Sequence, residues 1–105
     1  NAPIISLDKK EIHFGEIKQG EKVNCDFTLT NTGRSTLFIR KTKASCGCTA
    51  VTLGEKAIEP GKSTTIRATF DSSGRTGRQY KSITVITNDP QKPEIILTID
   101  GNIKN

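Results

Sequence analysis

Two cysteines separated by one glycine, Cys46-Gly47-Cys48, are the residues of this sequence best suited to chemistry. A bond across a single residue closes a small ring, and strain in such a ring makes it easier to reduce. That suits thiol–disulfide exchange better than stapling. As thiolates, the same pair would suit a soft metal such as Cu(I) or zinc. A structural zinc site needs four ligands, usually from paired C-x(2–4)-C motifs. Only Cys25 and the single His13 could complete the set, and Cys25 falls on the inward parity of a strand. A complete metal site within one chain is therefore not expected, although two chains could share one. The plainest reading is that Cys46 and Cys48 pack and shape a turn, with Gly47 allowing the bend. Structural, redox and metal readings all stay open on the residues alone, and no cofactor is implied. Cys25 itself reads as a small buried apolar residue.

Other chemistry is faint. His13 sits opposite Ile12 and Phe14 in an alternating run, which places it on an exposed face without the partners a triad needs. Gly61-Lys62-Ser63 ends like a phosphate-binding loop, but the earlier glycine position is Lys56 and no helical period follows. The eleven carboxylates are scattered over turns and polar faces, with no pair placed for glycoside cleavage. An enzyme is not the leading reading.

The elements that must position these residues are strands. Thr (14) and Ile (13) dominate while Leu and Ala number five each, a bias toward β-branched residues. Val23, Cys25, Phe27 and Leu29 recur every second residue, as do Ile66, Ala68 and Phe70, then Ile95, Leu97 and Ile99. Turn signals separate these runs: Asn31-Thr32-Gly33, Glu59-Pro60-Gly61-Lys62 and Asn88-Asp89-Pro90. The pattern predicts an all-β, Ig-like antiparallel β-sandwich of seven to eight strands. There is no Trp, and the run Tyr80 to Thr87 carries no Cys to pair with Cys25, so the inter-sheet disulfide is lacking. Residues 4–103 are expected to form a single domain, with residues 1–3 either an extension ahead of it or a remnant of cloning.

The surface is basic, with a net charge of +5. No acid falls between Asp26 and Glu55, where Arg34, Arg40, Lys41 and Lys43 lie, nor between Asp71 and Asp89, where Arg75, Arg78 and Lys81 lie. In an Ig-like topology these segments are neighbours, so a basic face is expected, suited to an acidic protein, a surface glycan or lipid headgroups. Nucleic acid is disfavoured because only Phe38 and Tyr80 offer stacking. Parity points Phe38, Arg40, Tyr80, Ile86 and Ile96 outward as a partner-binding face, with a homodimer one option. No apolar run reaches the roughly 18 residues that a membrane span needs.

The order of Phe14-Gly15-Glu16-Ile17, Asn31-Thr32-Gly33, Ser45-Cys46-Gly47-Cys48-Thr49, Pro60-Gly61-Lys62, Asn88-Asp89-Pro90 and Ile99-Asp100-Gly101-Asn102 resembles the DUF1573 family. That family of bacterial domains has no assigned function and resembles the wider PapD-like and major-sperm-protein-like sandwiches. The resemblance implies an Ig-like fold, export to the periplasm, cell surface or medium, and no established enzyme activity. The sequence has no methionine, so it is expected to be a processed or excised piece, with removal of an export signal one way to arrive at it. The combined expectation is a non-enzymatic interaction module of the cell envelope. The alternative is a redox or metal-handling domain built on Cys46 and Cys48.

Overall fold

The computed structural model describes residues 1–105 and contains strands but no helix. In chain order the strands are β1 (Ile5–Leu7), β2 (Glu11–Lys18), β3 (Lys22–Asn31), β4 (Leu37–Ala44), β5 (Thr49–Leu53), β6 (Ala57–Ile58), β7 (Ser63–Asp71), β8 (Gly77–Thr87) and β9 (Glu94–Lys104). They form a four-stranded sheet in the order β1-β3-β7-β5 and a five-stranded sheet in the order β2-β9-β8-β4-β6. The Ig-like sandwich without an inter-sheet disulfide is therefore present, with β6, only two residues long, bringing the count to nine. One pairing departs from the antiparallel expectation: β2 runs parallel to β9, with Ile12 opposite Ile99 and Ile17 opposite Ile103.

Alternation builds the core. Cys25, Phe27 and Leu29 of β3 and Ile66, Ala68 and Phe70 of β7 face Leu37 and Ile39 of β4, Ile83 and Val85 of β8, and Ile95, Leu97 and Ile99 of β9. All are buried, and burying each large side chain is worth about 1.5–3 kcal/mol relative to exposure. Phe14 of β2 enters at a register shift, stacks on Phe70 with centroids 5.5 Å apart, and lies where a β-carbon on Gly101 would fall. That close approach explains the glycine at 101.

The turn motifs do structural work at one end. The buried Asn31 side chain donates to the Ser35 carbonyl (2.7 Å) and the Ile58 carbonyl (2.9 Å), and accepts from the Gly33 and Ile4 N–H groups. Asp89 accepts from the N–H groups of Ile5 (3.0 Å) and Gln91 (2.8 Å). Residues 1–3 lie against the same end: the Ala2 carbonyl accepts from Arg34 N–H at 3.1 Å, and Pro3 is buried.

Candidate functional site

The turn from β4 to β5 carries the chain from one sheet to the other, and it holds both cysteines of interest. Cys46 and Cys48 are joined in a disulfide with their Cα atoms 5.2 Å apart, while Cys25 is free and buried. Burial, with the Asp26 charge a lesser cause, pushes the Cys25 thiol up and leaves it inert. The Cys46 sulfur accepts from the Cys48 backbone N–H at 3.1 Å and from an Arg75 guanidinium N–H at 3.3 Å. Cys48 packs against the core. Both cysteines are half-buried, whereas Gly47 is exposed. Gly47 was expected to permit the bend, but its φ is not positive and a β-carbon there would meet nothing within 4 Å. The turn forms without special backbone freedom. No third His, Cys, Asp or Glu joins the pair in a metal-holding group.

The five-stranded sheet points Phe38, Tyr80, Ile86 and Ile96 outward. Phe38 and Ile96 are each 46% exposed and Tyr80 is 64% exposed, while Ile86 is half-buried. Register shows how they are distributed. Ile86 lies between Lys41 and Glu94, and Ile96 lies one rung along, opposite Thr84 with Lys43 beyond it. Tyr80 stands apart, separated from Ile96 by the rung Ser82–Thr98. Thus Phe38, Ile86 and Ile96 form a diagonal interleaved with charge, and Tyr80 belongs to a different neighbourhood.

That neighbourhood is a polar cluster that no sequence pattern announced. His13 Nδ1 lies 2.7 Å from Asp100 Oδ1, His13 Nε2 lies 3.7 Å from Glu11, and Arg78 lies 3.4 Å from Asp100. The hydrogen bond to Asp100, followed by the Asp100 charge, raises the His13 pKa above its ordinary value. His13 is exposed, as expected, but it is not isolated.

β4 and β8 are neighbours, so the two acid-free segments do meet. Their basic residues do not form one face. Lys41, Lys43 and Arg78 project outward, Lys81 follows the inward parity, and Arg75 turns to Cys46. A register shift between Ile39 and Lys41 leaves Arg40 as an extra residue beside Lys41.

Along this edge a groove of about 370 Å³ opens between the sheets, lined by Ile39, Val51 and Leu53 together with Arg40, Lys41, Thr42 and Lys56. β6 covers β4 only at Leu37 and Phe38, and Ile39 N–H reaches the Lys56 carbonyl; beyond that, β4 has no outer strand partner. β5 likewise pairs only with β7. Two open strand edges therefore flank one groove. Open edges follow from topology, which composition and periodicity do not reveal.

A two-sheet, all-β sandwich of this kind is Ig-like in fold. Within that class the chain belongs to the DUF1573 family, a protein family of unknown function, which matches residues 5–103. A protein of unknown function from Porphyromonas gingivalis W83 superposes with a TM-score of 0.85 at 21% identity, over 95% of this chain and 46% of that one. The chain thus spans less than half the length of that relative. PapD-like domain 7 of human CEP192 superposes with a TM-score of 0.71 at 14% identity, covering 99% of this chain and 87% of that one. The periplasmic chaperone SfaE gives 0.54 at 12% identity, covering 95% and 56%. At these identities the likeness is one of fold. Curated proteins gave no match.

Proposed function

We propose that the domain is a non-enzymatic protein-interaction module of the bacterial cell envelope, and that it receives an extended acidic segment of a partner along the groove between β4 and β5. The observation that carries this reading is the pair of open strand edges facing one groove whose lining mixes Ile39, Val51 and Leu53 with Arg40, Lys41 and Lys56. An added strand would satisfy exposed backbone donors and acceptors, and alternate side chains would reach into the groove. Ile39, Val51 and Leu53 would take apolar side chains, and Arg40, Lys41 and Lys56 would take carboxylates. Phe38 and Arg40 would flank the incoming strand, with Ile86 and Ile96 extending the contact across the sheet, while Tyr80, beside Asp100, stays outside it. Membership of the DUF1573 family and a fold shared with a periplasmic chaperone support the envelope setting. Like charges along the edge disfavour pairing with a second copy.

The test is NMR titration of the labelled domain with a short peptide of alternating Val and Glu. Amide shifts are expected at Ile39–Ala44 and Thr49–Leu53, weakening with added salt and with a Val–Lys counterpart. Shifts confined to other surfaces, or an edge that pairs only with a second copy, would overturn the reading.

A further inference from the structure

The Cys46–Cys48 bond does little as a staple. Closing a loop of one residue removes little chain entropy from the unfolded state, and the bond ties together only a turn already formed by backbone contacts. Those contacts include Thr49 N–H to the Cys46 carbonyl (3.2 Å) and Asp71 N–H to the Cys48 carbonyl (2.9 Å). What is specific is the surroundings of one sulfur. Arg75 is half-buried and has no carboxylate within ion-pair reach; the acceptor its side chain finds is Cys46 Sγ. Its backbone is fixed, with its N–H donating to the Ser72 carbonyl (3.1 Å) and its carbonyl accepting from the Gln19 side chain (3.0 Å). A guanidinium and a backbone N–H thus converge on the atom that carries negative charge once the bond opens. The Cys48 sulfur has neither; its polar neighbour is the uncharged Thr49 hydroxyl at 3.8 Å, and it packs on the core.

We infer that Cys46 and Cys48 are a thiol–disulfide exchange site for disulfide-bonded or dithiol segments of other proteins, in which Cys46 is the exchanging sulfur and Arg75 its positioning residue. In the reduced form the Cys46 thiolate attacks one sulfur of a substrate disulfide. A Cys46–substrate bond forms, the substrate bond breaks, and the departing thiolate takes a proton from solvent. Cys48, having given its proton to solvent, then attacks Cys46 Sγ. The bond seen in the structure forms and the second substrate thiolate leaves. Two electrons pass from the pair to the substrate, and the reverse sequence oxidises a substrate dithiol. Gly47, between the two cysteines, is exposed. This inference does not depend on the groove.

Three measurements on the intact chain test it. In buffers of reduced and oxidised glutathione, followed by acid quench, alkylation and mass spectrometry, the pair is expected to titrate reversibly while Cys25 stays unmodified. On the reduced protein, Cys46 is expected to be alkylated faster than Cys48 near neutral pH. Arg75→Gln should move its pH profile up by about one unit, slowing it up to about tenfold. A merely structural Arg75 would leave that profile in place. Cys48→Ser should accumulate a glutathione adduct on Cys46 more than Cys46→Ser does on Cys48. Equal reactivity of the two thiols in both the parent and Arg75→Gln, or a pair that stays oxidised across all buffers, would overturn the inference.

Discussion

Asn31 joins three segments through four side-chain hydrogen bonds, all within or beside the buried end of the sandwich. Removing the amide leaves two carbonyls and two N–H groups to find other partners. Asn31→Ala is expected to destabilise the domain by roughly 2–4 kcal/mol, measured by urea unfolding. His13 contributes in a different way. Its folded pKa is raised by the hydrogen bond to Asp100, then by the Asp100 charge. Its stabilising effect is therefore fully present below its unfolded pKa of about 6.5 and is lost as pH rises through the folded value. The urea midpoint should fall as pH rises through that window, and His13→Gln should flatten that part of the profile. Asp89 has the opposite sign. Burial raises its pKa, but the backbone N–H groups of Ile5, Gln91 and Lys92 outweigh burial and lower it, so its contribution is lost in acid.

At the scale of elements, the outward diagonal of β4, β8 and β9 gives a direct test of the sheet face. Replacing Phe38 and Ile86 with Ser removes apolar surface that the core does not use, since Leu37, Ile39, Val85 and Thr87 face inward on the same strands. The double variant should unfold within about 1 kcal/mol of the parent in urea, yet bind the Val–Glu peptide more weakly. A large loss of stability would assign both residues to the core. These strands were legible in the sequence because alternation is strict wherever one face is buried, as in Val23 to Leu29 and Ile95 to Ile99. The parity of Leu37, Ile39, Ile83 and Val85 follows the same rule. Contacts made by long-range pairing were not legible. Arg75 reaches Cys46 across 29 positions and His13 reaches Asp100 across 87, and no periodicity encodes either meeting. The bend that Gly47 suggests is present and the two sulfurs meet, but Gly47 does not adopt a positive φ to make it.

The whole molecule is long and narrow, about 51 Å by 19 Å by 18 Å, and its two sheets share a single core. The parallel seating of β2 on β9 gives that shape a kinetic meaning. β9 is the last of these strands in chain order, yet it lies inside its sheet, between β2 and β8. Until Glu94–Lys104 is available, β2 has no neighbour in that sheet and one long edge of β8 stays bare. The shared core also lacks Ile95, Leu97 and Ile99. A chain emerging from its N-terminus, whether from a ribosome or across a membrane, therefore holds an incomplete sheet with exposed apolar surface until Glu94–Lys104 arrives. Assembly is then driven by contacts between distant parts of the chain, the slow and aggregation-exposed regime of β-protein folding.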